Sequence, residues 1–165
     1  VELAVEYRQG LEPFAKIVVG DRRLTMRLMG IWQGLRYGQK TCAPAVEFCA
    51  AVPDDLWADC CIVTRDAAEE WELRRIGETI ARRSSVRGRK ARIAELRRES
   101  ILAMAVSELD DAIKSGAPIL NEGEAQDEHG YPALYRSILL PLAGEGGAIV
   151  QLLAGARCRV RPQNG

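Results

Sequence analysis

His129 is the one imidazole in a chain of 165 residues, and that scarcity bounds the chemistry available. Ser84, Ser85 and Ser137 have no histidine near them in sequence to act as a base. Asp110 and Asp111 are helical neighbours that point about 100° apart, so they do not converge as a carboxylate pair. Gly144, Gly146 and Gly147 lack the lysine and the following helix that a phosphate loop needs, and a hairpin turn accounts for them. No catalytic residue is assigned, and the expectation is a protein that is not an enzyme.

Five cysteines are present: Cys42, Cys49, Cys60, Cys61 and Cys158. They include no C-x-x-C pair, so no metal site is expected. Cys60 and Cys61 are adjacent and, in a strand, point to opposite faces. All five read as reduced thiols packed as small apolar groups in a cytoplasmic protein.

The one charged constellation runs from Arg74 to Arg98. It holds Arg74, Arg75, Arg82, Arg83, Arg87, Arg89, Lys90, Arg92, Arg97 and Arg98 against Glu78 and Glu95 alone. Clustered arginines suit bidentate contacts to phosphate, so Arg87, Arg89 and Arg92 form a candidate anion-binding set. A basic-patch module for nucleotide or nucleic acid is the alternative reading. No aromatic side chain interleaves these arginines, which weakens the case for nucleic acid. The plain reading is a solvated face balanced by the acidic stretch that follows, with Glu108, Asp110, Asp111, Glu122, Glu124, Asp127 and Glu128.

Composition agrees with a self-contained globular domain. Hydrophobic residues make up 47% and charged residues 28%, and 23 basic residues equal 23 acidic ones. There is therefore no overall field to draw the chain to a polyanion. No apolar run reaches the roughly 18 residues of a membrane span, and Val1 to Glu6 lacks a basic-then-apolar export signal. Val1 in first place, where a methionine would begin a complete chain, leaves room for residues upstream.

Periodicity supplies the elements. Residues 1–21 read as an arm or short strand. Leu24, Leu28, Ile31 and Leu35 share one face of a helix from Arg22 to Tyr37, stopped at Gly38. Gln39 to Asp55 is a connector punctuated by Pro44 and Pro53. Leu56 to Thr64 reads as a buried strand with Trp71 to Ile76 as its partner, followed by a short helix from Glu78 to Arg83. Ala91 to Ser115 reads as one long helix with Leu102, Val106, Leu109 and Ile113 along a face, ended by Gly116. Ile119 to Glu124 is a strand. The final hairpin pairs Tyr135–Ala143 with Ala148–Val160 across Gly144-Glu145-Gly146-Gly147. The domain spans 22–160, with a loose tail over 161–165. The economical arrangement is α+β, one antiparallel sheet with helices packed on one face.

Several segments, in order, resemble the PAS domain superfamily, and within it a branch of short, mostly proteobacterial proteins. They are Trp32-Gln33-Gly34-Leu35-Arg36-Tyr37-Gly38, then Pro44, then Asp55-Leu56-Trp57 with Cys60 to Val63. Trp71-Glu72-Leu73-Arg74-Arg75-Ile76-Gly77 follows, and then the closing pattern of Ile138-Leu139-Leu140-Pro141-Leu142, Gly146-Gly147 and Val150-Gln151-Leu152-Leu153. The resemblance implies a five-stranded antiparallel sheet flanked by helices, acting as a sensory or interaction module in bacterial signalling. It implies a homodimer formed through the N-terminal helix, Arg22 to Tyr37, and a protein signalling partner; no membrane attachment is expected, on the lack of a long apolar run. Haem and flavin are not supported. His129 lies in a turn far from the helix where a haem ligand is expected, and the cysteine-bearing flavin motif is absent. If a ligand is bound, the expected pocket lies between sheet and helices among Trp57, Cys61, Trp71, Ile76, Ile80, Leu102, Val106, Ile138, Leu140 and Leu152.

Overall fold

The computed structural model describes residues 6–7, 22–36, 38 and 41–160. Beyond Glu6–Tyr7, the expected N-terminal arm lies outside the described residues, as do Tyr37 and the expected tail. The architecture is α+β around one mixed sheet. Its strands are β1 (Glu6–Tyr7), β2 (Ala43–Pro44), β3 (Cys60–Arg65), β4 (Trp71–Arg74), β5 (Ala91–Arg92), β6 (Ile119–Gln126), β7 (Pro132–Ala143) and β8 (Ile149–Val160). The helices are α1 (Arg22–Gly34), α2 (Ala45–Ala51), α3 (Asp54–Trp57), α4 (Glu78–Arg83), α5 (Ile101–Ala105) and α6 (Leu109–Ser115).

The sheet order is β1-β6-β7-β8-β3-β4-β5, with β2 also beside β7. From β6 to β5 every neighbour is antiparallel, while β1 runs parallel to β6 and β2 parallel to β7. The β7–β8 hairpin is the spine, pairing Ala133 with Val160 at one end and Ala143 with Ile149 at the other. Its link is the glycine-rich turn expected from sequence, with Gly146 and Gly147 at positive φ, a region open to glycine at little steric cost.

Helices cover both faces of the sheet, which corrects the expectation of a single helical layer. Alternation along each strand sends successive side chains to opposite sides, and here both sides are apolar. Cys60, Ile62, Ile138, Leu140 and Leu153 pack with Leu24, Leu28 and Trp32 of α1, Phe48 of α2 and Leu56 of α3. Cys61, Val63, Leu139, Leu152 and Ala154 pack with Ile80 of α4, Leu102 of α5 and Ala112 of α6. The near-continuous apolar run of β7 and β8 is the signature of a strand buried on both sides. The amphipathic stripe of α1 is thus spent on the chain's own sheet.

The long helix expected over Ala91–Ser115 is also corrected. Ala91 and Arg92 pair with Leu73 and Glu72 at the sheet edge, and the helical part is two short pieces. Ser100 caps α5, its hydroxyl accepting from the Ala103 amide at 3.2 Å. Ser107 donates back to the Met104 carbonyl at 2.8 Å in the turn before α6. Such local side-chain hydrogen bonds compete with a continuous helix. Gly116 ends α6 in the left-handed region, φ 64°, as its position predicts. Leu56 and Trp57, expected to begin the strand, instead end the short helix α3, and α2 lies within the expected connector.

Gly77 fixes the junction between β4 and α4. Its amide donates to the Cys60 carbonyl at 2.8 Å, and the Ile80 amide donates to the Ala58 carbonyl at 3.0 Å. A Cβ at Gly77 would stand 2.0 Å from the Trp57 carbonyl oxygen and 2.4 Å from that of Ala58. Both are backbone atoms that cannot swing aside. Gly77→Ala is therefore expected to destabilise by at least the ~1–3 kcal/mol typical of overpacking, read as a lower midpoint in urea unfolding. An unchanged midpoint would refute the close approach.

Candidate functional site

The structure does not bring the ten expected pocket residues together. Trp57, Ile138 and Leu140 belong to the α1 side of the sheet. Cys61, Ile76, Ile80, Leu102, Val106 and Leu152 belong to the other, where Trp71 packs half-buried against them. The reason is register: Leu140 pairs with Leu153, and Leu153 with Ile62, so Leu152 and Cys61, each one residue along, face the other way. These side chains form two packed cores, and of the ten only Ile80 lines the cavity described next.

That cavity, of about 400 Å³, lies at one end of the sheet, where the last residues of β8 meet the α3–β3 loop, α4 and the start of α5. Ile80, Ile101 and Ala156 supply its apolar floor, and Asp55, Asp59, Thr79, Arg83 and Arg157 are polar groups around it. The volume falls within the range of small-molecule sites.

The local sequence explains how each group is held. Thr79 and Arg83 are four residues apart on α4, so they share a face. Arg157 leaves β8 next to Ala156, whose amide donates to the Asp59 carbonyl at 3.0 Å. Asp59 is held a second time by Arg157, whose Nε donates to Asp59 Oδ2 at 2.8 Å. Arg83 Nη1 reaches Glu128 Oε1 at 3.4 Å, in the β6–β7 turn. Arg27 of α1 donates to Asp55 at 2.9 Å, and that hydrogen bond holds the Asp55 carboxyl below the usual carboxylate range. Asp127 organises the turn by accepting from the His129 and Tyr131 amides, each at 2.9 Å. Arg97 secures it from α5's approach by donating to the Asp127 carbonyl.

A second charged group lies on the α1 side of the sheet. Glu122 of β6 faces Arg136 of β7 directly, with side chains 8% and 3% exposed and 2.5 Å apart at Glu122 Oε2 and Arg136 Nη2. The pair is close but poorly aligned: neither of those atoms makes a hydrogen bond, and neither does Arg136 Nε. On the next strand Arg136 is opposite Arg157. A row of charged side chains thus crosses the sheet, with the guanidinia of Arg136 and Arg157 in the middle and the carboxylates of Glu122 and Asp59 at its two ends.

Burial raises the Cys60 thiol and pushes Cys61 up to about 12, so neither supplies a thiolate at neutral pH. Burial, then Glu108 and Glu122, push the Tyr135 hydroxyl to about 12. Each group keeps its proton in the folded chain after the unfolded chain has lost it. Their contribution is complete below the unfolded values of about 9 for the thiols and 10 for the phenol, and is lost as pH climbs through the folded ones. Stability is expected to be flat to about pH 9 on this account and to fall between 9 and 12. Tyr135→Phe removes the phenol's share of the slope above pH 10 and leaves the thiols' share, so the fall becomes shallower there, measured by urea unfolding at stepped pH. An unaltered slope in that variant would discard the assignment.

The candidate anion set does not act as a unit. Arg92 is tied to Glu70 at 2.5 Å and Asp66 at 3.5 Å. Arg87 and Arg89 are exposed and have no carboxylate partner among the described residues. Sequence reading passed over Asp59, Thr79 and Arg157. The signal available was the polar intrusion into apolar strands, Arg136 in Leu134-Tyr135-Arg136-Ser137-Ile138 and Arg157 in Ala156-Arg157-Cys158. Among the described residues no helix is long and apolar enough to cross a membrane. Compared with known families and with curated proteins, the chain matches no family model and no curated protein.

Proposed function

We propose that the chain is a PAS-like sensory module of bacterial signalling, cytoplasmic and without catalytic activity, that responds to a small ligand or a protein partner. The observation that carries the reading is the cavity at the end of the sheet, where groups from strand and helix layers converge around an apolar floor. Support also comes from the five strands β6-β7-β8-β3-β4, which follow one another antiparallel with helices against them. A ligand seated between β8 and α4 acts by favouring one of two arrangements of those layers, to the extent that it binds them unequally.

The proposed homodimer uses α1. Leu24, Leu28 and Trp32 are taken up by the chain's own sheet, so the pairing surface is the outward side with Arg23, Met26 and Gln33, all exposed. Native mass spectrometry of the purified chain tests both parts. A retained small molecule and a doubled mass are the expected result. An empty cavity removes the small-ligand reading, and a monomer across concentrations removes the dimer.

A second reading rests on a specific observation. Arg82, Arg87, Arg89 and Arg98 lack a carboxylate partner among the described residues, whereas Arg74, Arg83 and Arg92 have one. A basic surface for a nucleotide, and less favourably for nucleic acid, would use these free cations. Binding that weakens steeply with salt and is lost in the Arg87→Glu, Arg89→Glu variant supports it; no binding at low salt removes it.

A further inference from the structure

We infer that the cavity between β8 and α4 takes a small zwitterion with an aliphatic substituent, the chemistry of an apolar α-amino acid. The inference rests on the proposed ligand-binding role and names the ligand class. The first argument is charge balance. The lining carries two carboxylates, Asp55 and Asp59, and two guanidinia, Arg83 and Arg157. The groups that hold them from outside, Arg27 and Glu128, cancel as well. A ligand with net charge finds no net counter-charge here, whereas one bearing both signs finds each. The second argument is unused bonding capacity. Arg157 is oriented through Nε alone, and its terminal nitrogens make no hydrogen bond with any described residue. Among the described residues Arg83 is held through Nη1 alone. The Thr79 hydroxyl, one turn from Arg83, has no partner among the described residues. Guanidinia fixed at one point with donors to spare are suited to a carboxylate. Asp55 and Asp59, each engaged by one arginine through Oδ2, are acceptors for an ammonium group. The third argument is the floor: Ile80, Ile101 and Ala156 are buried and apolar, so the remainder of the ligand is a short hydrocarbon.

The test is calorimetric titration of the full chain with L-leucine, with 3-methylbutylamine, which lacks its carboxylate, and with 4-methylpentanoate, which lacks its ammonium. Leucine is expected to bind about tenfold or more tightly than either, since each analogue leaves one set of charged partners unanswered. Arg83→Gln is expected to weaken leucine by about tenfold. Thr79→Val serves as an isosteric second variant, and thermal unfolding of both establishes that they fold. If 4-methylpentanoate or the amine equals leucine, the zwitterion assignment is overturned. If leucine fails while native mass spectrometry finds another molecule retained, the ligand class is wrong and the sensory reading stands. If neither is seen, both fall.

Discussion

Arg136→Met is expected to destabilise the fold by about 3–5 kcal/mol, because it leaves Glu122 charged and buried with no cation opposite it. Two ions removed from water lose solvation that their mutual attraction only partly restores, so the pair itself adds little net stability. Removing one member forfeits the attraction and keeps the desolvation of the other. Two features make this pair a strict case. Both side chains are nearly inaccessible, so water does not readily move in. Arg136 Nε and Nη2 and Glu122 Oε2 also have no hydrogen bond to soften the cost. Glu122→Leu is expected to be costly too, for the converse reason, with Arg136 left unanswered next to Arg157. The double variant Glu122→Leu, Arg136→Met should recover most of the loss, since replacing a buried pair with apolar side chains is often neutral or stabilising. Urea unfolding of the four proteins gives the coupling directly. Two single losses that simply add in the double variant would show that the pair does not act as one.

Trp32→Ala is expected to cost a similar amount, about 3–5 kcal/mol, the range for deleting a large buried aromatic. Trp32 has no exposed surface and packs α1 against the sheet beside Ile138, Leu140 and Leu153. Its indole nitrogen also donates to the Pro141 carbonyl at 2.7 Å. Trp32→Phe separates the two contributions: it retains most of the ring area and loses the donor, for an expected loss of about 1–3 kcal/mol, the desolvation of an unpaired buried carbonyl. Hydrogen exchange adds a location to the energy, with α1 amides expected to lose protection before those of β7 and β8. Wild-type protection across α1 in the alanine variant would mean that the helix is held by something other than this ring.

The parts of the fold legible in sequence were those set by local chemistry. The β7–β8 hairpin was marked by Gly144 to Gly147, the end of α6 by Gly116, and the opposite facing of Cys60 and Cys61 by strand parity. The two helical layers were not legible, because Ile138, Leu139 and Leu140 are equally apolar and nothing in the run says how many faces are covered. The division of the expected Ala91–Ser115 helix turned on Ser100 and Ser107, whose hydroxyls bond to nearby backbone, while the stripe of Leu102, Val106, Leu109 and Ile113 persists across the break. The site was the least legible part. Asp59, Arg83 and Arg157 stand far apart in sequence and meet only because β8 lies next to β3. The cavity they line is a consequence of long-range pairing, which no local pattern records.

That same adjacency bears on how the molecule assembles. β3 and β4 are joined by a short turn and β5 follows after α4, while short turns also join β6, β7 and β8; in the sheet the two groups are joined where Cys60 to Val63 pair with Leu152 to Gly155. Each group can form from contacts close in sequence. Their union must first bring distant stretches of chain together, at an entropic cost that precedes its reward. Closure of this seam is therefore the natural bottleneck of folding, and until it closes β3 and β8 each present an open edge to other chains.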